Sequence, residues 1–453
     1  MKRLVLIWLG LCCHAAGDAP ARPNILVILT DDLGYGDVSI DQERDVRTPN
    51  LERLAASGMH FTGMRANATV CSPSRAALLT GCYADRVGVP GVIRTNPENS
   101  WGFFDPRAPT LADELKRAGY HTALIGKWHL GQDSPNHPND RGFDLFHGFL
   151  GDMMDSYTTH LRGGVNYMRH NREVIDPKGH ATDLFAEWTC AHLRQMAMEA
   201  NRPFFLYLAF NAPHFPIEPP DEWLAKVKAR SPEMDRKRAA NVAFVEHLDD
   251  RIGRVLETLG QTGLDKNTLV VFSSDNGGAT DYAQDNGPWR GGKQSHYDGG
   301  LRVPFIMRWP GRIEGGSRSD YQGLLFDVFP TALEAAGVKP LSHLDARSLI
   351  PVIEGRTSDE MRDLYFVRRE GGAPYFGASY EALIRGDWKL LRNHPFEPYE
   401  LYNLRRDPQE SNELSKDHPG LVKEMPKALS RHIQRGGAVP WQPPAVPAMD
   451  SLR

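Results

Sequence analysis

The chain has 453 residues, with 53 Lys and Arg against 57 Asp and Glu and a formal net charge of −4. That balance, without any Lys/Arg-rich run, argues against a protein built to bind nucleic acid. The length is more than one small core can organise and implies a large domain with a smaller companion.

The chain opens with "MKRLVLIWLGLCCHAAGDAP". A basic start, an apolar stretch and the small residues Ala15, Ala16 and Gly17 follow the three-part grammar of a secretory signal. Residues 1–17 are therefore expected to be removed on export to the periplasm or the extracellular space. The apolar stretch is too short to span a bilayer, and the bulky Leu11 before Cys12 speaks against a lipoprotein signal. No membrane segment is expected in the remainder. Cleavage leaves Cys71, Cys82 and Cys190, an odd number in an oxidising compartment.

Four apolar runs then end in polar, chemically capable residues. Residues 25–29 run into Asp31 and Asp32. "HTALIGKWHLG" ends in Lys127 and His129. Residues 204–210 lead to Asn211 and His214, and residues 269–272 to Asp275 and Asn276. Continuous apolar runs of this length read as strands buried on both faces, the pattern of a parallel sheet. Helical patterns fall between them at 48–57, 110–118 and 241–259, each closed by a glycine. Alternating strands and helices predict an α/β sheet with helices on both faces. Ligands of such sheets bind beyond the carboxyl ends of the strands.

Between the first two runs lies "VCSPSRAALLTGCY", residues 70–83, which reads as a short helix opened by Cys71 and ended by Gly81. A disulfide half, a buried structural thiol and a reactive group are all compatible with Cys71. After about Gly337 the texture changes. "DLYFVRR", "EALIRGDWKLLRN" and "PYELYNL" read as short strands, with Gly386-Asp387 as a hairpin turn. A helix over 420–434 follows, with Pro426 expected to interrupt it, and then a proline-rich tail. The predicted organisation is a catalytic domain over 18–340 and an α+β unit with an antiparallel sheet over 341–453.

The chemistry divides into two sets. Asp31, Asp32, Asp275 and Asn276 offer hard oxygen ligands, which suit Ca2+ first and Mg2+ second rather than zinc. Adjacent buried carboxylates also require a counter-cation. Arg75, Lys127, His129, His214 and Lys293 come from separate segments, and together they describe a site for a tetrahedral oxyanion. His121, His247 and His296 read as structural histidines, and Trp128 and Trp289 as core or pocket wall. Asn67 begins an Asn-Ala-Thr acceptor that is expected to stay unused.

Cys71-Ser72-Pro73-Ser74-Arg75, continued by Leu79-Thr80-Gly81, resembles the signature of the type I sulfatases. "NILVILTDDLGYGD", "GYHTALIGKWHLG", "NAPHFP", "SSDNGG", "RGGKQSHYDGGLRVPFIMRWPG" and "DVFPTALEAAG" follow in the order of that family. The resemblance implies an alkaline-phosphatase-like fold and a sulfate ester substrate, of a small molecule or a carbohydrate. It implies that a modifying enzyme converts Cys71 to formylglycine (3-oxoalanine), whose hydrate, with Asp31, Asp32, Asp275 and Asn276, binds Ca2+. Arg75, Lys127 and His129 would activate that group, and His214 and Lys293 would grip sulfate and assist the departing alkoxide. The segment "GDMMDSY" at 151–157 offers no assignable match. Two other readings remain: a phosphodiesterase or phosphonate hydrolase of the same superfamily, and a non-catalytic binding protein with an unmodified Cys71.

Overall fold

A computed structural model describes residues 22–442, except 41, 200–201, 340, 357–361 and 372–378. The expected secretory segment and the end of the tail lie outside the described residues. Among those described, no helix is long and apolar enough to cross a membrane.

In chain order the strands of the first half are β1 (Asn24–Thr30), β2 (Met59–Phe61), β3 (His121–Lys127), β4 (Leu145–Phe149), β5 (Leu161–Arg162), β6 (Val165–Asn166), β7 (Met168–His170) and β8 (Glu173–Val174). Then come β9 (Phe204–Ala209), β10 (Thr268–Ser274), β11 (Phe305–Arg308) and β12 (Ser317–Ser319). Ten of these twelve form one mixed sheet in the order β12-β2-β11-β10-β1-β9-β3-β4-β7-β8, while β5 and β6 pair separately. The centre, from β10 to β4, is parallel throughout.

The helices are α1 (Pro49–Ala56), α2 (Cys71–Thr80), α3 (Leu111–Arg117), α4 (Ala181–Met198), α5 (Asp221–Arg230), α6 (Arg236–Gln261), α7 (Asp298–Leu301), α8 (Val328–Ala335), α9 (Ile350–Ile353) and α10 (Pro419–Gly436). Alternation along β1 sends Ile25, Val27 and Leu29 into one core and Leu26 and Ile28 into another. The first core takes residues of α2, α3, α8 and α9, and the second takes residues of α1, α4, α5 and α6. This is the predicted sheet sandwiched by helices, held together by apolar burial on both faces.

The second sheet, β13 (Asp363–Arg369), β14 (Ser379–Arg385), β15 (Trp388–Arg392) and β16 (Glu400–Asn403), is antiparallel in simple sequence order. It shares a third core with Tyr83, Leu301, Phe326 and the Met425, Ala428 and Leu429 face of α10.

Two expectations need correction. Helix α6 begins at Arg236, five residues before the predicted start, because Asp235 caps it by accepting from the N–H groups of Lys237 and Arg238. Pro426 does not interrupt α10, which runs unbroken from Pro419 to Gly436. The hydrogen bond lost at proline is outweighed by burial of Met425, Ala428 and Leu429 on either side of it. The three cysteines in question are all buried and free. Asn67 is buried, its Oδ1 accepting from the Phe326 N–H, so it presents no glycan acceptor.

Candidate active site

The four runs that end in chemistry are four neighbours in the sheet, β10-β1-β9-β3. Their registers align: Leu29 faces Ser273 on one side and Ala209 on the other, and Gly126 faces Ala209. Asp31, Asp275, Asn211 and Lys127 therefore emerge at one level, along one edge. Gly126 makes the last pairing possible. Its φ is +109°, and a Cβ there would lie 1.9 Å from the Ala209 carbonyl oxygen.

Helix α2 lies across this edge with Cys71 as its first residue. Ser74 ties the entry of the helix to Ala68, accepting from its N–H at 2.9 Å and donating to its carbonyl at 3.1 Å. The Cys71 thiol donates to Asp31 Oδ1 at 3.1 Å. Arg75, one turn on, donates through Nε to Asp275 Oδ2 at 2.9 Å and reaches Asp31 at 3.6 Å. Lys127 Nζ pairs with Asp31 Oδ2, and Lys293 Nζ with Asp32 Oδ2 at 2.7 Å. The Asp32 N–H donates to Asp275 Oδ1, and Asn276 Nδ2 donates to Asp32 Oδ1 at 2.8 Å. His214 Nε2 stands 3.6 Å from Asp32 Oδ2. All ten residues named from the sequence thus meet in one buried cluster, except that His129 enters by another route: it is buried at the edge, where its Nε2–H donates to the Ile93 carbonyl at 2.7 Å.

The Sulfatase family profile matches residues 23–338, about two-thirds of the chain. The chain belongs to the sulfatase family. A second profile, the C-terminal region of N-sulphoglucosamine sulphohydrolase, matches residues 291–435 of this sulfatase. The N-acetylgalactosamine-6-sulfatase of Mus musculus is 35% identical over 392 residues, covering 81% of this chain and 72% of its own. The Homo sapiens enzyme of that name is 34% identical over 379 residues, covering 78% and 70%. Among solved structures, Ps i-CgsB in complex with k-i-k-neocarrahexaose matches with a TM-score of 0.84 at 29% identity, covering 93% of this chain and 95% of that one. Ps i-CgsB alone matches at 31% identity with a TM-score of 0.83. The chain is an enzyme that hydrolyses sulfate esters.

Electrostatics in the sulfatase site follow from burial and the three carboxylates. Burial works against a charged Asp31, yet Lys127, His214, Arg75 and Lys293 hold its pKa well below the usual carboxylate range. Burial, with Asp31 beside it, pushes Asp275 up to about 7. Burial and the Asp31 charge also raise the Cys71 thiol well above its ordinary value. Burial beside a carboxylate thus disfavours the thiolate form of Cys71. Burial, Lys127 and Arg75 push His129 well below its ordinary value. With Nε2–H committed to Ile93, its Nδ1 carries a lone pair and no partner among the described residues. Burial and Lys293 lower His214 to about 4, and its Nδ1–H donates to the Phe215 carbonyl at 2.7 Å.

The donor set fits a hard cation. Asp31, Asp32, Cys71 and His214 place potential ligand atoms within 4.8 Å of one another. Asn276 spends its amide N–H on Asp32 and Gly277 and leaves a buried, unpartnered Oδ1. Three buried carboxylates plus a free amide oxygen match calcium or magnesium chemistry.

Sequence reading missed the supports. Tyr157 donates its hydroxyl to the carbonyls of Asn211 and His214, both at 2.8 Å, and fixes the turn that carries His214. It lies in the 151–157 segment, where the sequence offers no assignable match. Phe215 stacks on His214 and takes Lys293 over its face at 5.4 Å. Trp128 is core, its Nε1–H bonded to the Asn136 carbonyl.

Proposed function

We propose that this sulfatase removes sulfate from a sulfated carbohydrate after export, using Cys71 converted to formylglycine and a bound Ca2+. The observation that carries this reading is the buried Cys71 thiol at the mouth of α2, set among the carboxylates of Asp31, Asp32 and Asp275 and the cations of Arg75, Lys127 and Lys293. The sugars in the names of the N-acetylgalactosamine-6-sulfatase relatives and of the complex with k-i-k-neocarrahexaose support a carbohydrate substrate. When present, the hydrated aldehyde supplies two hydroxyls on one carbon, one to attack sulfur and one to expel sulfate. When bound, the cation supplies positive charge at the carboxylates.

The chain's own residues do the rest. Lys293 is held charged by Asp32 against the cost of burial and takes the non-bridging sulfate oxygens. Arg75 and Lys127 hold Asp275 and Asp31 in place and add positive charge behind the nucleophile. His129, neutral with a free Nδ1, is the base for the second hydroxyl. His214 is neutral in the resting pocket. The charge of an entering sulfate ester raises its proton affinity, which lets it protonate the leaving oxygen.

The test has two arms. Mass spectrometry of the peptide containing residue 71, from active enzyme made in a host with the modifying activity, is expected to show an aldehyde in place of the thiol. Aryl sulfate is expected to be cleaved faster than aryl phosphate diesters, and a panel of sulfated mono- and disaccharides differing in sulfate position identifies the substrate. Fully active enzyme with an intact thiol, or dominant diester cleavage, would refute the reading.

A further inference from the structure

A cleft of about 590 Å3 opens immediately beside His129. Its floor begins at Ile93, whose carbonyl holds His129 and whose N–H donates to Ser72 Oγ at 3.1 Å, and continues through Leu130. The volume lies in the range of small-molecule sites.

The outer wall is aromatic and comes from two distant parts of the chain. Trp101 and Trp441 stack with ring centroids 5.2 Å apart and planes within 17°. Trp101 is seated by construction. Its N–H donates to the Val92 carbonyl at 2.9 Å, and its ring edge lies where a Cβ on Gly371 would come within 2.2 Å. The segment bearing Trp441 crosses back over the first half of the chain, with the Pro440 carbonyl close against Gly88. The cleft is therefore preformed, and its aromatic wall is partly exposed.

The charges around it are acidic in effect. Glu98 and Asp133 are exposed on the lining, and Asp133 is offset by the neighbouring Arg169. The one arginine, Arg94, is spent on Glu370 at 2.6 Å and on the Asn99 carbonyl. Aromatic faces with polar edges suit a pyranose ring, whose C–H face is apolar and whose rim is hydroxylated. The Glu98 carboxylate, with no cation partner among the described residues, repels a sulfate or uronate on that ring.

We infer that this cleft binds an uncharged sugar ring next to the sulfated one, and so selects substrates whose neighbouring residue carries no sulfate. The inference rests on the carbohydrate sulfatase reading above. It makes Trp101 and Trp441 specificity residues rather than catalytic ones.

The test takes the panel member cleaved fastest and compares it as a free monosaccharide, with a neutral neighbour, and with a sulfated neighbour. In wild type the neutral neighbour is expected to raise kcat/KM by about tenfold or more, and a sulfate on that neighbour to cancel the gain. Trp441→Ala is expected to remove most of that gain, read as the disaccharide-to-monosaccharide ratio. Glu98→Lys, at an exposed position that leaves folding intact, is expected to restore cleavage of the disulfated form. Equal kcat/KM for all three substrates in wild type, or loss of activity on all three in parallel in Trp441→Ala, overturns the proposal. If no sulfate ester is cleaved, the carbohydrate reading fails, and the cleft is judged alone by tryptophan fluorescence with neoagarotetraose and cellotetraose. A saturable change with either sugar that Trp441→Ala abolishes supports the cleft, and no saturable change with either rejects it.

Discussion

At the scale of single residues, the site works by placing opposite charges where water cannot screen them. Lys293→Ala leaves Asp32 without its closest cation and, in the proposed mechanism, the sulfate oxygens without theirs. Its kcat is expected to fall by about 100-fold or more in steady-state assays with aryl sulfate, the loss typical of a fixed electrostatic contact. A smaller fall carried only by KM would assign Lys293 to ground-state binding. Cys71→Ser tests the nucleophile. A serine has a single hydroxyl, so sulfate accepted there has no route off, and intact-protein mass spectrometry is expected to find the variant sulfated and without turnover. An unsulfated variant that still turns over would remove residue 71 from the chemistry. Most of the site was legible in the sequence because its residues follow an apolar run or open a helix, and Lys293 because it sits in a glycine-rich stretch. Tyr157 and Phe215 were not, because a tyrosine or phenylalanine signals only burial until the turn it supports is seen.

At the scale of elements, the central strands bring the chemistry together, and their closeness sets tight tolerances. Gly126 sits at φ +109° with the Ala209 carbonyl 1.9 Å from where a Cβ would be. Gly126→Ala is expected to lose at least about 3 kcal/mol by denaturant unfolding, because β3 and β9 must separate or the turn must re-form. An unchanged midpoint would mean the β3–β9 edge is softer than its register implies. The parallel centre could be read because strands buried on both faces leave an unbroken apolar signature. The short outer strands β2, β7, β8 and β12 could not, since two or three residues carry no period. The early start of α6 was also missed, because Asp235 lies in a charged stretch where one capping aspartate does not stand out.

At the scale of the whole molecule, the two sheets are joined by buried charge as well as by apolar packing. Lys389 on β15 has no exposed side-chain surface and pairs with Asp298 at 2.8 Å and Glu410 at 2.7 Å. Asp298 also receives Arg65 and Arg302. Lys389→Met leaves buried Glu410 without its cation and Asp298 to the two arginines, and is expected to destabilise the fold by about 3–5 kcal/mol, read as a lower unfolding midpoint. A near-zero change would mean that the arginines alone satisfy Asp298. Acid stability offers a second global readout. Burial, with His121 beside it, lowers His192 to about 4, below the unfolded value of about 6.5. The unfolded chain therefore binds more protons between those values, and stability falls as pH drops through that window. At pH 5 the His192 contribution to that loss is about 2 kcal/mol. His192→Gln is expected to lose less melting temperature than wild type between pH 7 and pH 5, and identical losses would clear His192 of the effect.

The pairing of β1 with β10 also has a consequence in time. β1 leaves the ribosome early and its partner β10 some 240 residues later, so the pocket cannot close over Cys71 until most of the chain exists. Once closed, Cys71 is 3% exposed. Any chemistry performed on that thiol by another protein belongs to the interval before closure, which makes the late strand β10 the clock that ends it.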